Sequence, residues 1–222
     1  MIVLIYDEVS GQMEKLVRSC CDDMPYTSDG VLSVDAFRAN SSTQLMWTTK
    51  QFLESVNVSF HELNVPFEVL HGFSRVWEHF EEEQFAHKLG TALSGGQNLN
   101  IKRRQQLLKN LEAQGDVTYV QDFDHAPSIV HFHQCFNPSS ATIVFETIQQ
   151  GSIGVSVCAL QDALWYLGYD IPVINGLFDE MLKQEVMSFQ KSNGLDVDGI
   201  CGAATWTALM QIIDPEELRY NV

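Results

Sequence analysis

The chain has 222 residues, of which 45% are hydrophobic, and its formal net charge is −16 at pH 7. This length suits one or two globular domains, and so acidic a chain is a poor partner for nucleic-acid phosphates, which basic surfaces bind. No apolar run is long enough to cross a bilayer. The five cysteines are odd in number and include an adjacent pair, which argues against a disulfide framework.

The first part of the chain alternates between strand-like and helix-like patterns. Residues 2–6 are apolar and predict a buried strand, whereas the apolar spacing of residues 43–55 predicts a helix. Apolar residues alternate over 56–60 as they do in a strand. A long helical segment is then expected over residues 73–89.

A further helix and three strands are predicted before residue 150. The helix contains Leu107 and Leu111, and Gly115 is expected to end it. The strands are predicted at residues 117–119, 129–136 and 142–148. An α+β domain with an antiparallel meander is the fold that these patterns favour.

One group of candidate metal ligands occurs in this domain. On the strand predicted at 129–136, a period of two places His131, His133 and Cys135 on one face. Imidazole and thiolate groups at this spacing suit zinc. However, His-x-His pairs occur on strands without metal, and the signatures of zinc peptidases and amidases are absent. We therefore predict no metal and no cofactor, and we assign no catalytic residue.

The last third of the chain carries the same turn-then-helix pattern twice. Asn175-Gly176 and Asp198-Gly199 each stand just before a helical run. Their glycines tolerate the positive φ of a tight reversal. Two tight turns are therefore predicted at equivalent positions of a repeat.

Three short helices are predicted around these turns. Gly168 and Gly194 are expected to end the first two helices, and Asp179 is the predicted N-cap of the second. In the first helix, Gln161 and Asp162 are expected to point away from the apolar face. The apolar stripes are Val157, Leu160, Leu164 and Leu167 in the first helix, Leu182, Val186 and Phe189 in the second, and Trp206, Leu209 and Ile213 in the third.

The order and spacing of residues along these turns and helices carry a resemblance to a known family. The matching positions are Val157, Leu160, Gln161, Leu164, Leu167, Gly168, Tyr169, Gly176, Leu177, Phe178, Val186, Phe189, Gln190, Gly194, Leu195, Asp198, Gly199, Ile200, Gly202, Thr205, Trp206 and Leu209. They resemble the peptidoglycan-binding domain 1 family, a three-helix module appended to many bacterial and phage cell-wall hydrolases. The first turn departs from the pattern, because Asp179 and Leu182 follow it where Gly202 and Thr205 follow the second.

The resemblance implies two domains of different character. A three-helix, peptidoglycan-binding-like domain is expected at residues 151–222, beside an α+β domain of unknown function with antiparallel strands at residues 1–150. Residues 149–152 are the predicted linker between them.

The resemblance also implies a groove beside the turns that receives the peptide stem or the glycan of the wall. The positions that match this groove are Gln161, Tyr169, Gly176, Phe178, Gln190, Asp198, Gly199 and Trp206. Gln161, Gln190 and Tyr169 are the favoured contacts, since polar side chains beside a turn can reach amide and hydroxyl groups. Trp206 is equally explained by the core, and the glycines by turn geometry alone.

Two functions of different class follow from these patterns. The favoured hypothesis is a non-enzymatic peptidoglycan-binding component of a phage particle or of an injection or secretion apparatus, whose N-terminal domain docks to a structural protein. The apolar start is followed at once by Asp7 and Glu8, whereas a signal peptide would continue with apolar residues. No signal peptide is therefore predicted, and delivery to the bacterial envelope by such an assembly is expected. The alternative is a lysin-like hydrolase with a catalytic N-terminal domain. A third reading is that the module docks a protein rather than the wall.

Overall fold

The computed structural model describes residues 1–27, 31–39, 41–61, 63, 66–78, 85–114, 119–123, 129–133 and 145–213. The strands in these ranges are β1 (Ile2–Asp7), β2 (Gln12–Val17), β3 (Leu45–Thr49), β4 (Val69–His71), β5 (Ala92–Gly95), β6 (Tyr119–Phe123) and β7 (Ile129–His133). The helices are α1 (Val34–Arg38), α2 (Lys50–His61), α3 (Phe85–Lys88), α4 (Ile101–Gln114), α5 (Val155–Tyr166), α6 (Glu180–Ser192) and α7 (Ala203–Ile213). Mixed helices and strands followed by three successive helices confirm the predicted fold class.

The first strand lies at the centre of a three-stranded sheet with the order β2-β1-β3. Strands β1 and β2 form an antiparallel hairpin, whereas β3 pairs with β1 in parallel. Val3, Leu4 and Ile5 of β1 are at most 3% exposed, because strands on both edges and packed side chains shield them. The buried strand predicted at residues 2–6 is confirmed.

A second sheet is antiparallel and has the order β4-β5-β7-β6. Helices α2 and α4 pack against each other. The rings of Phe52 and Phe60 in α2 lie 6.2 Å and 5.9 Å, between centroids, from the ring of Phe132 in β7. Phe67 completes this aromatic cluster, with its centroid 4.6 Å from that of Phe60. The cluster ties α2 to the second sheet, and the predicted antiparallel strands are confirmed in this sheet.

Two predictions for residues 43–60, a helix over 43–55 followed by a strand over 56–60, differ from the observed order of β3 and then α2. The helix predicted over 43–55 begins only with α2, because the residues before it form β3 and pair with β1. The strand predicted at 56–60 is wrong, since α2 continues through it. Phe52, Val56 and Phe60 are four residues apart and at most 5% exposed. This helical spacing prevails over the short alternation in the same segment.

The long helix predicted over 73–89 is wrong over residues 73–78. Residues 73–78 are irregular or form a turn, and among the described residues of this range only α3 is helical. The backbone N–H of Arg75 donates to the Glu78 carboxylate at 2.8 Å, and that of Val76 donates to the Asp162 carboxylate at 2.9 Å. These N–H groups are therefore committed to side chains rather than to helical carbonyls.

The three C-terminal helices follow their predicted signals. Asp179 caps α6, because its side chain accepts a hydrogen bond from the backbone N–H of Leu182 at 2.8 Å. Gly168 and Gly194 follow the ends of α5 and α6 with φ of +88° and +68°. The predicted three-helix region is confirmed. No helix in the described ranges is both long enough and apolar enough to span a membrane.

The segment that leads into the helical region is paired with it. Ile148 exchanges two backbone hydrogen bonds with Cys201. A strand is predicted at 142–148, and the structure describes residues 145–148 of it. These residues form no strand, and their only β pairing is this single bridge at Ile148. Because the predicted linker at 149–152 lies between this bridge and α5, it is held against the helices at both ends. The division of the chain at residue 150 stays a prediction.

Helix α5 is buried over residues 155–164, which corrects the expectation that Gln161 and Asp162 point away from the core. Asp162 is fully buried and forms an ion pair with Arg75. The guanidinium donates to one carboxylate oxygen from Nε at 2.8 Å and also from Nη2. The other oxygen accepts the backbone N–H of Val76. A buried ion pair thus joins the N-terminal part to α5.

Tryptophan rings surround the guanidinium of Arg75. Its Cζ lies 5.6 Å from the ring centroid of Trp47, 6.0 Å from that of Trp77 and 5.6 Å from that of Trp165. A desolvated cation is attracted by the faces of such rings. The buried apolar residues of both sheets and of the C-terminal helices form one continuous core around this junction.

Replacing Asp162 with Ala is expected to lower the free energy of unfolding by about 3–5 kcal/mol, because the buried Arg75 loses its counter-charge. Urea unfolding of the intact chain measures the change. The matched control is Asp170→Ala, since Asp170 is exposed just beyond α5 and should change stability by less than about 0.5 kcal/mol. Equal stability of the two variants would show that the ion pair does not hold the junction.

Candidate functional site

The first turn of the helical region is held by a glutamine on the helix before it. Gln161 of α5 is 4% exposed. Its Nε2 donates to the Asn175 side chain at 2.9 Å and to the Leu177 carbonyl at 3.2 Å. Its Oε1 accepts the backbone N–H groups of Asn175 at 3.0 Å and Gly176 at 2.9 Å. Both donors and both acceptor positions of this amide are therefore used within the chain.

The second turn is held in the same way by Gln190 of α6, which is 1% exposed. Its Nε2 donates to the Asp198 carboxylate at 2.8 Å and to the Ile200 carbonyl at 3.0 Å, and it lies 3.2 Å from Thr205 Oγ1. Its Oε1 accepts the N–H groups of Asp198 at 3.1 Å and Gly199 at 2.9 Å. The second turn thus repeats the hydrogen bonds of the first.

The backbone of the two turns is also the same. Gly176 has φ of +72° and Gly199 has φ of +71°, a conformation that other residues adopt only with strain. The predicted pair of equivalent turns is therefore observed. Because both glutamine amides are saturated, their observed role is to fix the turns, and a direct ligand contact from Gln161 or Gln190 stays a prediction.

Different side chains fill the space behind the two turn glycines. A Cβ built on Gly176 would overlap Cε of Met13, which belongs to β2. A Cβ built on Gly199 would lie 2.8 Å from Cγ of Lys183 and 3.2 Å from Cγ of Met187, both in α6. The first turn is thus packed against the N-terminal hairpin, whereas the second turn is backed by its own helix.

The departure from the family pattern after the first turn leaves no polar group unpaired. Thr205 lies near the Gln190 amide and donates to the Ile200 carbonyl at 3.3 Å. Leu182 takes the corresponding place beside the first turn. Since both donors of Gln161 are already used there, a hydroxyl at Leu182 is not needed.

The three aromatic residues predicted as ligand contacts differ in accessibility. Phe178 and Trp206 are 2% and 1% exposed, and the indole Nε1 of Trp206 donates to a backbone carbonyl at 3.0 Å. Tyr169 is half-buried, and its ring meets that of Phe189 edge-on at 5.9 Å between centroids. Of these three, Tyr169 therefore has surface to offer a ligand, whereas the other two belong to the core.

The second turn exposes polar and apolar groups together. Asp198 is exposed, and the side chain of Val197 beside it is 46% exposed. The Asp198 carboxylate accepts the N–H of Ile200 at 2.8 Å as well as the Gln190 amide. These donors favour the charged form and hold the pKa of Asp198 below its ordinary value.

Sequence reasoning missed Met13 and the tryptophans at the junction as neighbours of the module. Met13 lies on β2, and no local pattern connects it to Gly176. Trp165 did carry a signal, because it follows Gln161 by one helical turn and so lies on the same face of α5.

The histidines considered as zinc ligands lie partly outside the described residues. Cys135 and the side chain of His133 are not described, while His131 is 3% exposed. Nδ1 of His131 lies 2.7 Å from Oγ of Ser94, which lies 3.2 Å from Nε2 of His87. Among the side chains that the structure describes, no three His, Cys, Asp or Glu residues are placed to hold a metal ion.

The Ser94 hydroxyl is hydrogen-bonded to a histidine as a catalytic nucleophile would be, but it is not accessible to a substrate. The Gly72 carbonyl can only accept, so Nδ1 of His87 donates to it at 2.7 Å. In the neutral ring, Nε2 then accepts the Ser94 hydroxyl proton, as a general base would. Ser94, His87 and His131 are at most 3% exposed. A substrate does not reach this hydroxyl in the observed conformation.

Comparison with known families identifies the helical region. Residues 154–209 match the family described as "Putative peptidoglycan binding domain". This range covers α5, α6 and both turns, together with most of α7. The resemblance drawn from the sequence is confirmed over this region.

Individual relatives match part of the chain. A spore cortex-lytic enzyme of Oceanobacillus iheyensis is 33% identical over 82 residues, which are 37% of this chain and 30% of that enzyme. The chain therefore spans less than a third of that relative. The N-terminal domain of SleB is 33% identical, with 32% of this chain and 96% of that one covered and a TM-score of 0.31. A peptidoglycan-binding protein from Clostridioides difficile, solved with glutamine hydroxamate, is 29% identical. The match covers 44% of this chain and 68% of that one, with a TM-score of 0.32.

Replacing Gln190 with Ala is expected to cost about 1–3 kcal/mol of stability, because the N–H groups of Asp198 and Gly199 lose a buried acceptor. Gln161→Ala should cost a similar amount at the first turn. The control is Gln184→Ala, an exposed residue of the same helix α6. Thermal unfolding compares the three variants. Stability of Gln190→Ala equal to that of the control would show that the amide does not support the turn.

Acid is expected to weaken the second turn but not the first. The pKa of Asp198 is lowered in the folded state, so this group contributes stability above its unfolded pKa of about 3.9 and loses it as the pH falls through the folded pKa. Asp198→Asn copies Asn175 of the first turn and should make stability depend less steeply on pH in this range. Urea unfolding at several acidic pH values tests this. Identical pH profiles of variant and wild type would contradict the prediction.

Proposed function

We propose that this chain binds the peptidoglycan of bacterial cell walls through its C-terminal module and anchors another structure to the wall through its N-terminal part. The observation that carries the proposal is the buried junction, in which Arg75 and Asp162 join the region that matches the peptidoglycan-binding family to the rest of the chain. Two parts fixed in this way act as one body. Such a body suits an anchor, which has to transmit force between the wall and its cargo.

The junction leaves little freedom for the module to move as a tethered domain. Domains within a chain move relative to each other by default unless their interface is large and hydrophobic. Here α5 is buried over its first ten residues, and Phe85 meets the ring of Trp206 at 5.6 Å between centroids. A hydrolase that must reach many bonds around its binding site gains from a loose tether. The continuous core supports an anchor instead.

The second turn and Tyr169 form the surface that we assign to the wall ligand. The first turn packs against Met13 of the N-terminal hairpin, so part of its surroundings is already occupied. The second turn presents the exposed Val197 beside the exposed Asp198. An apolar group next to a charged acceptor suits the methyl groups and amide N–H groups of a peptide stem.

We further propose that the anchor is a component of a phage particle or of an injection or secretion apparatus, with its N-terminal part docked to a structural protein. A net charge of −16 repels anionic wall polymers, so affinity has to come from specific contacts. An assembly that displays many copies multiplies weak specific contacts into tight attachment. This is the advantage that such an assembly gives to an acidic module.

A lysin-like hydrolase is the second candidate. It is favoured by the hydrogen bond between Ser94 and His87, whose other ring nitrogen is held by a backbone carbonyl. This is how a base is oriented towards a nucleophile. The burial of both residues disfavours it, because the site would have to open before a substrate could enter.

Incubation of the intact chain with purified sacculi tests the two candidates. Saturable binding without release of soluble muropeptides is expected for an anchor. Release that Ser94→Ala abolishes, with binding and folding intact, would establish the hydrolase. A chain that neither binds sacculi nor releases muropeptides would overturn both candidates in favour of protein docking.

Replacing Val197 with Ser is expected to weaken binding to sacculi about five-fold, because roughly 1 kcal/mol of apolar contact is lost. The matched control is Val173→Ser, which changes a residue of similar exposure, 52% against 46%, on the approach to the first turn. Sedimentation of bound protein with sacculi gives both affinities. An equal loss in the two variants would remove the second turn from the ligand site.

A further inference from the structure

An exposed aromatic surface lies at the end of α5, where the rest of the helix is buried. Trp165 and Tyr166 are 49% and 47% exposed, although the ten residues before them are buried. The ring of Tyr166 stacks on that of Trp77, with 6.4 Å between centroids and 20° between planes. Trp77 is itself half-buried. These three residues, named here the aromatic platform, combine side chains from both parts of the chain.

The aromatic platform is held in place from behind. The guanidinium of Arg75 lies against the rings of Trp165 and Trp77, and Asp162 fixes this guanidinium with two hydrogen bonds. Tyr166 follows Asp162 by one helical turn, so the ion pair and the exposed rings lie along one face of α5. Rings fixed in this way lose little conformational freedom when they bind a ligand.

The chemistry of the aromatic platform favours a neutral ligand with flat apolar faces. The nearby cation Arg75 is already neutralised by Asp162, so it does not attract an anion. Aromatic faces are electron-rich and attract C–H groups, while their edges and the tyrosine hydroxyl can hydrogen-bond. The indole Nε1 of Trp77 is buried and has no hydrogen-bond partner among the described residues, so the aromatic platform offers ring faces rather than this N–H. A sugar ring offers C–H groups on its face and hydroxyl and amide groups around its rim.

We propose that Trp77, Trp165 and Tyr166 form a stacking site for the sugar rings of a glycan chain built of N-acetylated amino sugars. This inference rests on the proposed function, because it takes the glycan backbone of the wall as the ligand. The aromatic platform would be a second contact with the wall, in addition to the surface formed by the second turn and Tyr169. Trp165 follows Gln161 by four residues in α5, so the aromatic platform continues along the helix face that supports the first turn.

The test is titration of the intact, isotope-labelled chain with a soluble N-acetylglucosamine oligomer. The indole N–H resonances of Trp77 and Trp165 are expected to shift, whereas that of Trp206, buried and bonded to Glu146, should stay in place. Shifts confined to other residues would overturn the proposal. This readout needs no variant, so it does not depend on whether a substitution folds.

Variants give a second, independent readout of the affinity for the oligomer. Trp165→Ala and Tyr166→Ala are each expected to weaken binding at least ten-fold, and Trp165→Phe should restore most of it because a ring remains. The control is Ile212→Ala, an apolar residue of α7 with 48% exposure. Unchanged affinity in a folded Trp165→Ala protein would overturn the proposal.

Binding to sacculi separates this inference from the proposed function. A chain that binds sacculi but not the oligomer would keep the proposed function and overturn the glycan site. A chain that binds neither would overturn both. Retention of an assembly protein that Trp165→Ala abolishes, without any oligomer binding, would reassign the aromatic platform to protein docking and so overturn the glycan proposal.

Discussion

The ion pair between Arg75 and Asp162 is the interaction on which the rest of the structure depends. A buried carboxylate without a partner carries a large desolvation penalty, so α5 can be buried only where a cation meets Asp162. Arg75 supplies it from an irregular segment that also donates the backbone N–H of Val76. This one contact fixes the face of α5 that meets the N-terminal part. It also places Trp165 and Tyr166 at the edge of the junction.

The two repeated turns have the same backbone conformation and are held by the same set of hydrogen bonds. Each turn needs a glycine with positive φ, and each leaves backbone N–H groups pointing inwards. Gln161 and Gln190 provide an amide whose oxygen accepts two such groups while its nitrogen donates to the other side of the loop. What differs is the surroundings, because the first turn receives Met13 and the second stays with its own helix. Equal loops therefore have different surroundings: the first packs against the N-terminal hairpin, and the second is the one to which we assign the ligand.

Together, the buried junction, the second turn and the aromatic platform support the proposed anchor over the hydrolase. The Ser94 and His87 pair shows that hydrogen bonding alone does not make a catalytic site, since both side chains are buried and a substrate does not reach them. The buried polar chain instead ties β5 to β7 through His131. A network that satisfies its polar groups in this way specifies one arrangement of the second sheet.

The sequence by itself determined the helical region. The cap at Asp179, the turn glycines and the apolar stripes act over a few residues, so their patterns predict the structure directly. Tertiary structure decided the rest, because the partners lie far apart in the chain: Asp162 and Arg75 are 87 residues distant. Pairing with β1 likewise made β3 a strand where the spacing alone favoured a helix. The resemblance indicated where a ligand would meet the turns, but only packing revealed that Gln161, Gln190 and Trp206 are buried and that the aromatic platform is not.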